Sequence, residues 1–338
     1  MTRKLGRRDF ACAAALAPLA AIPILRSASP AVAATGSARP NGVGGVQIDP
    51  DAVATIPGPD LTTKPPKRRA PPGACDSHLH IFGKPSEVPL SPKRRYTPAE
   101  ATLEQATAMH AVLGIERMVI VQPSPYGLDN DFEREQLETF GARGRGSAVI
   151  DAATPDSDIE VLHKAGFRAA RFNLVSGGGV ATSELETVAA RIAKLGWHLE
   201  LFVDAAQLVE LTPQIAKLPT EIVIDHMGMP NAQLGTEQPG FQALLGLRAE
   251  GRTWVKLSAP YRIDAGPAPW PKADPFARAL IETAPERCLW GSDWPHTRPP
   301  GPMPNDGDLF DRLLAWTEND DQLLKTILVD NPARLYGF

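Results

Sequence analysis

The chain has 338 residues, 43% of them hydrophobic and 22% charged, with a formal net charge of −4. That length accommodates two average domains or one large α/β barrel. The small negative charge gives no electrostatic basis for a nucleic-acid or anionic-membrane partner. Beyond residue 34 no apolar run reaches the about 18 residues a spanning helix needs. Three cysteines are too few for a disulfide scaffold.

Residues 1–34 read as an export signal. Arg3, Lys4, Arg7 and Arg8 form a basic start, Ala11 to Leu25 an apolar run, and Ala31-Val32-Ala33 a small-x-small cleavage pattern. The Arg7-Arg8 pair carries the twin-arginine mark, so the export machinery is an expected partner and the periplasm the expected location. No membrane association is expected after cleavage. Residues 35–73 are rich in Pro, Gly, Ala and Thr, with a basic knot at Lys64, Lys67, Arg68 and Arg69. Such a segment buries too little apolar surface to offset its ordering entropy, and it is expected to be an irregular linker draped over the domain.

From residue 74 to 338 short apolar runs alternate with helical periodicity, the pattern of a parallel sheet with crossover helices. Eight strands are predicted at 74–80, 117–122, 146–150, 168–173, 197–203, 221–226, 253–258 and 288–293. Thr97-Pro98 reads as an N-cap opening a helix through Leu113. Further helices are predicted near 131–142, 156–165, 183–195, 205–217, 238–250, 274–284 and 307–317, with one or two more from Asp320 to Tyr336. Eight β/α units predict a single (β/α)8 TIM barrel. An open doubly wound sheet is the alternative, but Gly177-Gly178-Gly179 lacks the spacing of a dinucleotide fingerprint.

In such a barrel the site lies at the C-terminal strand ends, where six of the eight predicted strands carry polar groups. The first ends in His78 and His80, which share a face at i and i+2. The second leads into Gln122 to Asn130, the fourth ends in Arg171-Phe172-Asn173, and the sixth ends in Asp225-His226. The seventh runs into Ser258 to Arg262 and the eighth ends in Asp293. His110 and His163 fall in helical stretches and are expected at the surface, while His198 is expected to be structural. Cys75 and Cys288, on strands one and eight, are expected to be free, buried thiols pointing outward toward the helices.

His-x-His on strand one, a histidine after strand six and Gly291-Ser292-Asp293-Trp294-Pro295 on strand eight resemble the amidohydrolase superfamily. Arg95-Tyr96-Thr97-Pro98, Gln122 to Asn130, Arg171-Phe172-Asn173, Lys256 to Arg262 and Asn331 to Tyr336 narrow the resemblance to its 2-pyrone-4,6-dicarboxylate lactonase-like group. The resemblance implies a TIM barrel of the amidohydrolase type and a hydrolase, exported on the reading of the leader, that acts on a small carboxylated lactone derived from sugar acids or aromatic compounds. Asp293 is the expected base for the attacking water, with His78, His80 and His226 polarising the carbonyl. Arg171 and Arg262 suit carboxylate binding, and Tyr96, Ser124 and Asn173 suit substrate orientation. A lactone isomerase and a metal-dependent decarboxylase of the same superfamily are the alternatives, and a periplasmic binding protein for a small organic acid is the non-enzymatic one.

Two departures from the family pattern matter. Arg171 stands on strand four where two-metal members place a bridging lysine, and an arginine cannot ligate a metal. No cofactor is therefore expected, the alternative being a single zinc ion on His78, His80 and Asp293. The second departure is Gly177, where the resembled lactonase carries a second arginine. Unless Arg94, Arg95 or Arg298 replaces it, the substrate is expected to carry one acidic group rather than two.

Overall fold

The computed structural model describes residues 53–175 and 179–338. The expected signal at 1–34, the linker up to residue 52 and Gly177 lie outside the described residues. Eight parallel strands follow one another in chain order: β1 Cys75–Leu79, β2 Arg117–Val121, β3 Gly144–Ala148, β4 Phe167–Asn173, β5 His198–Phe202, β6 Ile222–Ile224, β7 Thr253–Leu257 and β8 Cys288–Trp290. The crossovers are α1 Leu103–Leu113, α2 Asp131–Phe140, α3 Asp156–Ala165, α4 Leu185–Ile192, α5 Ala205–Ile215, α6 Pro239–Ala249 and α7 Asp274–Thr283. After β8 come α8 Asp306–Trp316, α9 Asp321–Lys325 and α10 Asn331–Tyr336. The fold is a single (β/α)8 barrel.

Closure between β8 and β1 is made beyond the end of the β8 ladder. The Asp293 amide donates to the His78 carbonyl at 2.9 Å and the His80 amide to the Trp294 carbonyl at 2.8 Å. Gly291 permits this approach, since a Cβ there would lie 2.5 Å from the Cβ of His78. Asp76 locks the same seam. Its carboxylate accepts from the Ser292 amide at 3.0 Å and the Ser292 hydroxyl at 2.6 Å, and it lies 3.0 Å from His110 Nε2 on α1. His110 is thus a buried partner of Asp76 rather than a surface residue. His163 is half-buried, accepting the indole proton of Trp197 at 2.9 Å.

The register of β1 shifts between Asp76 and Leu79: three steps along β1 match two along β2, from Met118 to Ile120. This bulge inserts one residue and reverses the alternation. Cys75 consequently points into the barrel, against Val119, Val121, Val223, Leu289 and Tyr336, and not outward as strict alternation from His78 implies. Cys288 does point outward, its sulfur 3.3 Å from an Arg248 amino group and facing the Leu280 carbonyl. Both thiols are buried and free.

The helix expected from Thr97-Pro98 begins later. Thr97 is held extended by hydrogen bonds with Ala54 and Ile56, and Ala101 by a pair of bonds to Phe82. Thr102 is the actual N-cap, forming a reciprocal capping box with Gln105. Strand-like pairing has overridden a local helix-start signal. Residues 53–73 are largely irregular and tied down at both ends. Asn305 donates to Asp60 at 3.0 Å and accepts from the Lys64 amide at 3.0 Å, while the Ala70 amide bonds to the Leu113 carbonyl at 2.8 Å.

Candidate active site

At the C-terminal ends of the strands Asp293 occupies the centre. Its Oδ1 lies 3.6 Å from His78 Nε2, 3.8 Å from His80 Nε2 and 3.7 Å from His226 Nε2. Its Oδ2 accepts from the Tyr261 hydroxyl and from Arg262, at 3.2 Å from Nε and 3.1 Å from the terminal amino group. Burial alone would raise the Asp293 carboxyl. Interactions with His226 and with the Arg262 guanidinium outweigh it and hold the carboxyl well below the usual range. Asp293 and His226 both adopt left-handed backbone conformations, with φ of 62° and 51°. Such strain at non-glycine residues persists only where surrounding contacts enforce it.

The other expected site residues gather round this centre. Arg171 is buried, donates to the Gln122 carbonyl at 2.8 Å and lies over the Phe202 ring at 5.9 Å. Tyr96 is buried and hydrogen-bonded to Ser124 and Thr297, which brings Tyr96 and Ser124 together. Asn173 closes β4 two residues beyond Arg171. Arg262 differs from a free anion clamp: its fork is taken up by Asp293 and by the Thr297 carbonyl at 3.0 Å.

Several residues essential to the geometry were not singled out from the sequence. Beneath His78 the Lys256 ammonium lies 2.7 Å from Glu200 Oε2 and 3.3 Å from Asp225 Oδ1, with all four side chains buried. Burial alone would raise Asp225, but Lys256 outweighs it and keeps the carboxyl well below its ordinary value. Beside Asp293, the Tyr261 hydroxyl also lies 3.4 Å from His296 Nδ1, and His296 Nε2 lies 3.1 Å from Asp306 Oδ1. One signal was available. Lys256 shares the inward parity of Trp254 on a strand otherwise apolar at its centre, where a lysine needs a buried partner.

The hydrogen bonds of the rings decide what each histidine can do. His80 Nδ1 lies 2.7 Å from the Val121 carbonyl, which can only accept, so Nδ1 carries the proton and Nε2 presents a lone pair toward Asp293. His226 Nδ1 meets the Ser258 hydroxyl at 2.8 Å. His78 Nδ1 has the Lys256 ammonium, which has no lone pair, at 3.0 Å and Asp225 Oδ1 at 3.3 Å. With the nearer ammonium as its donor and Asp225 Oδ1 already 3.3 Å from that ammonium, Nδ1 accepts and the proton resides on Nε2.

That assignment bears on a metal. One donor atom each from His78, His80 and Asp293 lie within 4.8 Å of one another, as do those from His78, Asp225 and His226. His80 and Asp293 suit a divalent ion, and a His80 Nδ1–H bond to a carbonyl is the usual outer support of a ligating imidazole. His78 does not suit one, because its Nε2 is protonated and its Nδ1 faces a cation. The three residues as arranged do not complete a metal site.

Burial holds four histidines neutral: His80 and His198 down to about 3, His226 to about 4, and His78 well below its ordinary value. Burial also raises two carboxyls, Glu200 to about 7 and Glu133 well above its usual range. A depressed histidine gives stability that is lost as pH falls below the unfolded value of roughly 6.5. A raised glutamate gives stability that is lost as pH rises above roughly 4.3. Between those limits unfolding takes up protons at four histidines and releases them at two glutamates. Stability is therefore expected to decline on acidification from pH 6.5 to 4.5, by roughly 1.4 kcal/mol per pH unit for each net proton. Melting temperatures across that window check this; a higher Tm at pH 4.5 than at pH 6.5 contradicts it.

The sequence profile described as "Amidohydrolase" matches residues 75–338. The chain is 38% identical over 282 residues to a 2-pyrone-4,6-dicarboxylate hydrolase of Comamonas testosteroni, covering 80% of this chain and 92% of that one. It is 38% identical over 285 residues to a 4-sulfomuconolactone hydrolase of Rhizobium radiobacter, covering 83% and 95%. A D-galactarolactone isomerase of Agrobacterium fabrum is 30% identical over 285 residues, covering 82% and 95%.

Proposed function

Since the chain belongs to the amidohydrolase family, we propose that it is a lactonase opening a carboxylated cyclic ester by attack of a water shared between Asp293 and His80. The observation that carries this reading is the pair of acceptors facing each other, Asp293 Oδ1 and the lone pair of His80 Nε2, 3.8 Å apart. A water donating one proton to each turns its own lone pair toward the substrate carbonyl. His78 Nε2–H stands beside it as a donor to the developing oxyanion. A Ser258 hydroxyl proton on His226 Nδ1 leaves the Nε2 proton of His226 as a second donor. Such preorganised donors are the main electrostatic contribution in acyl transfer.

The proton balance is simple. The water oxygen bonds to the carbonyl carbon and its proton passes to Asp293 Oδ1. Collapse of the tetrahedral intermediate breaks the bond from the acyl carbon to the ring oxygen. That oxygen takes the proton back from Asp293, leaving a hydroxy acid that ionises at neutral pH. Tyr261 and Arg262 hold Oδ2, so that Oδ1 stays aimed at the water. Binding of the substrate carboxylate falls to Arg171, with Tyr96, Ser124 and Asn173 orienting the ring. Arg262 is engaged with Asp293, and Arg171, which also donates to the Gln122 carbonyl and lies 3.7 Å from Asp225, is the guanidinium left to meet an anion; this supports a lactone with a single acidic group rather than a dicarboxylate.

A pH-stat screen of lactones differing in carboxylate number tests the proposal. Proton release with the highest kcat/KM on a monocarboxylated lactone is expected; no turnover on any lactone contradicts it. On the best substrate, Arg171→Met is expected to raise KM by about tenfold or more, because a charge-assisted contact present in the ground state is lost. An unchanged KM removes Arg171 from the binding site. The Arg7-Arg8 leader supports export to the periplasm, and full-length chain recovered only from the cytoplasm with residues 1–34 intact contradicts that.

A further inference from the structure

We propose that Lys256 is a positioning residue that fixes the proton of His78 on Nε2, committing that ring to donate to the substrate carbonyl and withholding it from a metal ion. Three observations carry this. Lys256 Nζ lies 3.0 Å from His78 Nδ1, and an ammonium can only donate. The ammonium is held there by Glu200 at 2.7 Å and Asp225 at 3.3 Å, all buried, so it cannot withdraw into solvent. His78 Nε2 is buried without a hydrogen-bond partner and lies 3.6 Å from Asp293 Oδ1.

The second cluster with metal-ligating chemistry, His78, Asp225 and His226, therefore already has a cation beside it, and that cation is the side chain of Lys256. For His78 to ligate an ion through Nε2, its proton would have to move to Nδ1. There it would confront the ammonium at 3.0 Å, two donors competing for the one Asp225 oxygen that lies 3.3 Å from each. Asp225 Oδ1 lies 3.3 Å from Nδ1 and is the acceptor that would receive the proton once the ammonium is gone. The network is thus a selector between two states of one imidazole, with Lys256 holding it in the donor state. His80 has no such neighbour: its Nδ1 donates to the Val121 carbonyl, and its Nε2 stays a lone pair. Two histidines one residue apart are held in opposite tautomers by what lies behind them.

The native protein can be read directly. Long-range proton–nitrogen correlation spectra of histidine-labelled protein, with His78 assigned by its loss in His78→Gln, are expected to show His78 protonated on Nε2 and His80 on Nδ1. Lys256→Met leaves Asp225 and Glu200 without their cation, so the paired variant Lys256→Met with Glu200→Gln replaces both partners of the 2.7 Å contact by neutral side chains. In that variant His78 is expected to shift its proton toward Nδ1 and zinc affinity to rise by about tenfold or more, the scale on which outer partners act on metal ligands. Glu200→Gln alone keeps the ammonium and is expected to leave both tautomer and zinc affinity as in the wild type. His78 protonated on Nδ1 in the native protein overturns the proposal, as does an unchanged zinc affinity in the double variant. The donor role rests on the lactone reading, but the tautomer and zinc readouts do not, so a failed lactone screen leaves them to be judged separately.

Discussion

Asp293→Asn is expected to keep the barrel folded and the substrate bound while lowering kcat by on the order of 10²–10⁴, the range over which a positioned base contributes. Its effect on KM is expected to be small, because the proton transfer is made only in the transition state. The geometry makes the substitution clean. An asparagine can turn its carbonyl oxygen to the Oδ2 position and go on accepting from Tyr261 and Arg262. Its amide then stands at Oδ1, where its protons face the lone pair of His80 Nε2. Two acceptors for the water become one acceptor and one donor, and the base is gone. Steady-state kinetics on the best lactone check this; a near-normal kcat removes Asp293 from the base role.

Asp76→Ala is expected to produce the largest loss of stability, about 3–5 kcal/mol, since each buried donor left without its acceptor costs roughly 1–3 kcal/mol. The carboxylate accepts two hydrogen bonds from Ser292, one from the His78 amide at 3.1 Å, and faces His110. Its loss strands the Ser292 hydroxyl and the His110 ring in the interior and releases the seam between β8 and β1. That seam also sets His78 against Asp293, so catalysis is expected to fall with stability. Denaturant titration measures the effect, and a loss under about 1 kcal/mol would mean that the seam is held by its backbone bonds alone.

Most strands were legible as short apolar runs bounded by turn residues, and their observed ends lie within two residues of those expected except at β8, which stops at Trp290, three residues short of Asp293. His78, His80, His226 and Asp293 were legible because a polar residue ending such a run has few structural uses in a barrel. The bulge in β1 was not. An inserted residue leaves no local mark, so alternation counted back from His78 reached the wrong face at Cys75. The Lys256, Glu200 and Asp225 network was hidden for another reason. Its members come from β7, β5 and the end of β6 and converge under a histidine on β1, and only the closed barrel makes them neighbours. His110 and Asp76, 34 residues apart, illustrate the same limit: a helical histidine looks exposed until the strand beneath supplies its carboxylate.

Hydrolysis and isomerisation of a lactone are separated by the fate of the solvent oxygen. Turnover of the best lactone by the wild-type chain in ¹⁸O-enriched water, followed by mass spectrometry of the product, tests whether a water between Asp293 and His80 attacks the carbonyl. The expected result is one labelled oxygen in the new carboxylate of each ring-opened product, with labelled product formed on the order of 10²–10⁴ more slowly by Asp293→Asn. Rapid conversion of the lactone to a product without label would contradict attack by water and assign the site to isomerisation.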